Sequence, residues 1–532
     1  MALRSRDRWC GPKGTIGSRP EESRGEETRE ITPTEASGES GSGGESSLPH
    51  SGNTTVEDDR GRTGGTVAKT GETEKRHRRE RYPKDTGGRA GGETEKTREG
   101  HSFDGGRASC PSGRGDDRPD EVAVARGKGE DMAGNLHHRI VIVGGGTAGI
   151  SVAARLRRAG EDDVAVVEPS RVHYYQPLWT LVGGGRASLA ETVRAESSVM
   201  PKGVRWIEDR AVAVDPDART VGLAGGVEVG YDFLVVCPGI QLDWDKVGGL
   251  AETLGRNGVS SNYTFETAPI TWELIERMES GTALFTMPAG PIKCAGAPQK
   301  IAYLAADYWR LKGVLDRIRV VLVLPTPGMF GVPEFSKVLD QVVARYGIEV
   351  HFQSEVVEID PGRRRAVVVH HGEGDAKSEI DYTMLHAVPP QSAPEWIKAS
   401  PISDPNSPFG YVEVDKETHR HVRYPEIFSL GDAGSTPNSK TGAAVRKQAP
   451  VVVANLLAAM KDRELPARYD GYASCPLVTA RNRMLLAEFD YTMKPHPTIP
   501  VIDTKKERYD MWLLKRYGLP FMYWNFMLKG LA

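Results

Sequence analysis

The sequence predicts an α/β protein of two Rossmann-like units closed by an amphipathic C-terminal segment. Three observations predict it. A glycine-rich turn follows an apolar strand near residue 144 and opens a helix. A second strand–turn–helix series begins after residue 281 without those glycines. The last 28 or so residues are dense in aromatic and basic side chains.

The first unit opens on Arg139–Val143, a short buried strand. Gly144-Gly145-Gly146-Thr147-Ala148-Gly149 comes next, then a helical stretch Ile150–Arg158, a strand Val164–Val167 and an acid, Glu168. This is the dinucleotide fingerprint in its proper context. Gly144 permits the tight turn, Gly146 lets a pyrophosphate approach the backbone, and Gly149 lets helix pack on strand. Glu168 is placed to bind a ribose hydroxyl. A merely structural glycine turn leaves Glu168 unexplained. The fingerprint alone does not choose between FAD and NAD.

The choice comes from Ile427-Phe428-Ser429-Leu430-Gly431-Asp432, an apolar strand ending in Gly-Asp, followed by a helix from Thr441 to about Met460. Paired with the fingerprint, Asp432 reads as the acid on a ribityl chain. The helix N-terminus, with Lys440 and Thr441, then supplies a dipole, a cation and a donor to stabilise negative charge on reduced flavin.

The second unit opens on a strand Ala283–Met287 and continues in a helix Gln299–Leu311. The loop between them, residues 288–300, has no GxGxxG, and its prolines remove N–H donors that a phosphate needs. No nicotinamide is expected there. The loop instead carries Cys294 beside Lys293 and near a helix start. A neighbouring cation and a helix dipole both lower a thiol pKa.

Composition bounds the rest. The 532 residues allow two or three domains, and a net charge of −3 gives no reason to expect a nucleic acid partner. Residues 1–131 hold only three aromatics, Trp9, Tyr82 and Phe103. Such a stretch buries too little apolar surface to offset its ordering entropy and reads as disordered. It is as rich in acids as in arginine, unlike a transit peptide, and lacks a signal-peptide core. The leading expectation is that translation starts at Met132, with 1–131 an over-called extension; the alternative is a genuine disordered tail. Five cysteines, Cys10, Cys110, Cys237, Cys294 and Cys475, are too few and scattered for a disulfide framework. No metal site is expected. No apolar run reaches the length that spans a bilayer. Residues 505–531 hold seven aromatics interleaved with basic residues, and Pro520 is expected to divide them into two short helices. That pattern suits the headgroup boundary of a membrane.

The stretches HYYQPLWTLVGGG (173–185), GPIKCAGAPQKIAYL (290–304), YDGYASCPLVTARNRMLLAEFDY (469–491) and PFMYWNFMLKG (520–530) closely resemble the mitochondrial-type branch of sulfide:quinone oxidoreductases, over residues 137–532. The resemblance implies a disulfide-reductase-like flavoprotein with two FAD/NAD(P)-binding-type domains. The implied division is 137–280 for the first part of the FAD domain, 281–400 for the second Rossmann-like domain, 401–462 for the return to the FAD domain, and 463–532 for a C-terminal quinone- and membrane-binding region. It implies FAD contacts at Gly144, Gly146, Thr147, Glu168, Gln176, Ala211 and Asp432, and makes Cys294 the redox cysteine that carries a persulfide. The implied partners are hydrogen sulfide, a membrane quinone, a small sulfane-sulfur acceptor and the lipid surface. The implied location is peripheral, on a bacterial inner membrane if translation starts at Met132 and on the mitochondrial inner membrane in a eukaryote.

One departure stands out. The resemblance places the second redox cysteine directly after Gly431-Asp432, where this chain has Ala433. Cys237 and Cys475 read as structural. Two other readings therefore stay open: a related thiol- or persulfide-oxidising flavoprotein, and a non-catalytic flavin-binding sulfide sensor. An NADH:quinone oxidoreductase is disfavoured by the missing second fingerprint.

Overall fold

The computed structural model describes residues 136–532. The expectations for residues 1–131 and Met132 lie outside the described residues. The strand Leu136–Val143 starts three residues earlier than the sequence suggests and feeds the helix Thr147–Arg158. It pairs in parallel with Val164–Val167 on one side and with Glu228–Val236 on the other. Arg205–Ile207 extends the sheet at one edge, and the antiparallel strands Thr220–Leu223 and Ala211–Asp215 extend it at the other. Ile427–Ser429 returns from far along the chain to pair with Glu228–Val236. Gly431-Asp432 thus emerges in the same sheet as Gly144, although nearly 300 residues separate them. Ile140, Ile142, Val164, Val166 and Phe428 are fully buried from both halves, which is what forces the return.

The second sheet is all parallel, in the order Val259–Ser260, Met384–His386, Gly281–Thr286, Ile318–Val323, Glu349–His351. The helix Ala297–Lys312 follows the Cys294 loop and buries Ile301, Ala302, Ala305 and Trp309 in that unit's core. The sequence reading missed an antiparallel hairpin, Ala473–Ala480 with Arg483–Phe489. It packs Ala473, Cys475, Leu477, Leu485 and Ala487 into the same core as this helix. The approach is close. A Cβ at Gly296 would lie 2.4 Å from Leu477 Cδ2, so any larger residue there would force that side chain to shift.

The C-terminal segment differs from expectation. Pro520 does not divide it: Tyr509–Leu513 runs through a wide π turn, Leu514–Gly518, into Leu519–Asn525, with Pro520 in the first turn of the last helix. One side of the segment is core. Met511, Trp512, Tyr523, Met527 and Leu528 are buried with Ile150, Leu156 and Leu181 of the first unit. The other side exposes Leu513, Tyr517, Phe521 and Phe526. Among the described residues, no helix is long and apolar enough to cross a membrane.

Candidate active site

The fingerprint forms as expected. Gly144 sits at φ +104°, and a Cβ on Gly149 would fall 1.8 Å from the Gly144 carbonyl oxygen. Both are positions where a side chain is sterically refused. Glu168 accepts from the Gly145 and Ser170 N–H groups, each at 2.7 Å. Nothing stands within 4 Å of where a Gly146 Cβ would lie, so the backbone there is open to an approaching group. Thr147 shares a 2.9 Å hydrogen bond with the Tyr523 hydroxyl, which also meets His173 Nε2 at 2.6 Å; His173 Nδ1 in turn meets Glu196 at 3.1 Å. The C-terminal segment is therefore tied directly to the fingerprint, a link that sequence reading did not suggest.

Five distant segments meet at the second cluster. Lys293 Nζ donates to Gln176 Oε1 at 2.9 Å, and the Lys293 N–H donates to Gln391 Oε1. Lys440 Nζ donates to the Gly434 carbonyl and lies 4.0 Å from the Tyr411 ring centre. Burial holds its pKa down to about 8, although nearby Asp432 opposes the shift. Thr441 caps the helix Gly442–Ala459 by accepting from the Ala444 N–H. Asp432 makes no hydrogen bond to the described residues, and burial raises its pKa against the pull of Lys440 and Lys293. Ala211 stands apart, buried at the start of its strand.

These residues fit a large polar cofactor such as FAD. Buried polar atoms rarely lack partners, yet Tyr411 Oη, Gln391 Nε2 and Glu196 Oε1 are orphaned beside this cluster or the fingerprint. Bound FAD would be held by the Gly144–Thr147 turn and Glu168 at one end. Gln176, Asp432 and the capped helix start would hold the other.

Cys294 lies against that helix start. Its N–H donates to the Lys440 carbonyl at 2.9 Å, and its own carbonyl accepts from the Ala297 N–H at 2.7 Å. These bonds hold it at φ +54°, a left-handed conformation costing a non-glycine residue about 1–2 kcal/mol. The cation acting on its sulfur is not Lys293, as expected from sequence, but Lys300. The first turns of the helix after Cys294 bring Lys300 Nζ round to 3.1 Å from Cys294 Sγ.

A second correction concerns the partner thiol. Ala433 does not leave Cys294 alone, because the hairpin brings Cys475 into the core cluster against which Cys294 packs, near enough for the two thiols to influence each other. Cys475 is fully buried, while Cys294 keeps some exposure. The hydrogen bond from Cys475 and the Lys300 ammonium hold Cys294 well below the ordinary thiol pKa, against its own burial. The same bond and burial push Cys475 well above it. The two thiols therefore titrate as a pair, in which the Lys300 ammonium favours negative charge on Cys294. Lys515, from the C-terminal segment, completes the site. Burial, with Lys300 nearby, lowers its pKa to about 7, and its Nζ donates to the Pro177 carbonyl. Cys237, by contrast, packs under the fingerprint with its thiol aimed at the Gly144 carbonyl, and burial raises its pKa.

A pH prediction follows. Removing the ammonium by Lys300→Gln should raise the Cys294 pKa. The pH midpoint of Cys294 alkylation, read by peptide mass spectrometry on the reduced protein, should move upward by about one unit or more. An unchanged midpoint would show that Lys300 does not set the thiolate.

A fingerprint fold, a polar cofactor cradle, and two cysteines brought together where a second Rossmann-like unit lacks the glycine fingerprint define a disulfide-oxidoreductase-type flavoprotein. The pyridine nucleotide-disulphide oxidoreductase family matches residues 138–268. The mitochondrial sulfide:quinone oxidoreductase of Mus musculus is 42% identical over 395 residues, 74% of this chain and 87% of that protein. Its counterpart in Dictyostelium discoideum is also 42% identical, over 74% of this chain and 86% of that protein. The crystal structure of the Aquifex aeolicus sulfide:quinone oxidoreductase superposes with a TM-score of 0.61 at 18% identity, covering 74% of this chain and 91% of that one, and shares the fold. The chain belongs to the sulfide:quinone oxidoreductase family.

Proposed function

We propose that this chain is an FAD-dependent oxidoreductase that oxidises sulfide through the Cys294–Cys475 pair and passes two electrons to a quinone. The observation that carries the reading is Lys300 Nζ at 3.1 Å from Cys294 Sγ, with Cys475 buried in the core cluster against which Cys294 packs. With this pair oxidised to a disulfide, hydrosulfide breaks the S–S bond and forms a new one. One cysteine becomes a persulfide and the other a thiolate. A small nucleophilic acceptor takes the sulfane sulfur and leaves both cysteines reduced. The sulfur has lost two electrons and the disulfide has gained them. Re-forming the disulfide releases that electron pair, for which bound FAD would supply the two-electron acceptor on the way to quinone.

The chain's own residues manage charge at each stage. Lys300 stabilises the thiolate that leaves or attacks at Cys294. Lys515, poised near neutrality, suits proton exchange at the same sulfur atoms. The capped start of Gly442–Ala459, with Lys440, offers N–H groups and positive charge beside Cys294. A thiol pair supports turnover over the sensor reading. The exposed face Leu513, Tyr517, Phe521 and Phe526 supports association with a lipid surface, from which a quinone is drawn.

Anaerobic stopped-flow measurement on the flavin-loaded protein tests the assignment. Sulfide should bleach the flavin within seconds, and a soluble quinone should restore its colour. NADH at micromolar concentration should do neither, because the loop 288–300 lacks a phosphate cradle. Rapid bleaching by NADH and none by sulfide would overturn the reading.

A further inference from the structure

A cavity of about 550 Å³ lies where the helix Trp179–Gly183 ends against the helix Ala268–Arg277 and the C-terminal segment. Its walls include Arg186, Arg516, Trp272 and Tyr517. The thiol pair does not line it, and nothing derived so far uses it.

Its charges are unequally matched. Arg516 is held by Glu191 through two hydrogen bonds of 2.7 and 3.0 Å, and the lining acid Glu273 faces Arg277 at 3.7 Å. Arg481, just behind, donates to the carbonyls of Gly184 and Gly185. Arg186 has no carboxylate within 4 Å and no side-chain hydrogen bond among the described residues, and its Nε is buried without a partner. Its guanidinium carbon sits 5.0 Å from the Trp512 ring centre. Stacking uses the guanidinium face and leaves the in-plane N–H fork free for an oxyanion. Arg481 adds a second positive charge close by; its burial, and after it repulsion from Arg186, lower its pKa.

The cavity also borders the exposed apolar face. Tyr517 belongs to both, and is 57% exposed beside Phe521 at 61%. An oxyanion bound at Arg186 would therefore lie next to side chains suited to an acyl region. We propose that this cavity binds the phosphate of an anionic lipid headgroup, with Arg186 as its principal donor. The proposal rests on the membrane-surface reading above. It makes the C-terminal segment a lipid-selective surface rather than a merely greasy one.

The test is co-sedimentation of the flavin-loaded full chain with two vesicle types: phosphatidylcholine alone, and phosphatidylcholine with about one-fifth phosphatidylglycerol. The wild type should bind the anionic vesicles about tenfold more tightly. Arg186→Gln should lose most of that preference while keeping its affinity for phosphatidylcholine and its flavin. Arg186→Lys should keep part of the preference, and Lys505→Gln, an exposed control, should keep nearly all of it. Equal loss in Lys505→Gln and Arg186→Gln would reduce the effect to general surface charge and overturn the site. Binding of both vesicle types with no Arg186 dependence would sink the headgroup site and leave the membrane reading standing. Binding of neither vesicle would refute the membrane reading itself. Inorganic phosphate supplies the last arm. Millimolar phosphate that stabilises the wild type but not Arg186→Gln, without any vesicle preference, would assign the cavity to a soluble anion and contradict the lipid proposal.

Discussion

Cys294→Ser should lose sulfide-dependent flavin reduction by about 10³-fold or more, the scale expected when a covalent nucleophile is removed. Cys475→Ser should lose nearly as much. The reason differs between the two. Without Cys294 no thiolate lies beside Lys300. Without Cys475 the Cys294 thiolate persists but has no disulfide to offer hydrosulfide. The two variants therefore separate in alkylation. Cys475→Ser should leave Cys294 reactive near neutral pH, while Cys294→Ser should leave a Cys475 that alkylates slowly, because burial holds its pKa up. Both should keep their flavin, since neither thiol is bound into the fingerprint. Cys237→Ser should affect stability far more than turnover. Near-normal sulfide turnover in Cys475→Ser would show that its contact with Cys294 is packing alone.

Deleting residues 509–532 should cost the protein its fold in the first unit, and with it FAD. From sequence this segment reads as part of a quinone- and membrane-binding region suited to the headgroup boundary. Its buried side is larger than that reading allows. Met511, Trp512, Tyr523, Met527 and Leu528 are each at most 5% exposed. At roughly 1.5–3 kcal/mol per large side chain, their burial sums to about 10 kcal/mol. That matches the entire stability of a typical domain, about 5–15 kcal/mol. The deletion also removes Tyr523 from Thr147 and His173, and Lys515 from the thiol site. The truncated protein should be recovered aggregated or without flavin. A soluble, flavin-loaded truncation with normal thermal stability would refute the packing argument. Tyr517→Ser with Phe521→Ser touches only the exposed side and is the cleaner probe of membrane binding.

The first unit was legible because its signals are local. Glycines, strand and acid fall within about 30 residues, and each is fixed by a steric or hydrogen-bonding need that shows in the spacing. The strand Ile427–Ser429 and the helix capped by Thr441 were legible for the same reason: a strand ending in Gly-Asp and a capped helix are local patterns. The thiol pair was not. Cys294 and Cys475 lie 181 positions apart, and their contact depends on a hairpin docking on a helix through Gly296, a close approach that no local pattern announces. A signal was present. ASCPLVTA and RMLLAEF are strand-like runs separated by a two-residue turn, and a hairpin there would have drawn Cys475 toward a core. Lys300 was overlooked because Lys293 stands next to Cys294 in sequence, whereas helix geometry favours the residue that the first turns bring round. The C-terminal segment was read from composition, which counts aromatic residues but does not say which side of a helix they occupy. Tyr523 and Trp512 face the core, and Tyr517 and Phe521 face out.

The central claim is that Cys294 and Cys475 form the redox pair. Peptide mass spectrometry of the air-oxidised, alkylated protein tests it most directly. The account predicts that the peptides containing Cys294 and Cys475 are recovered joined through sulfur, and that reduction by sulfide under anaerobic conditions separates them as the flavin bleaches. Recovery of Cys294 free, or joined to Cys237, with sulfide turnover intact, would contradict it.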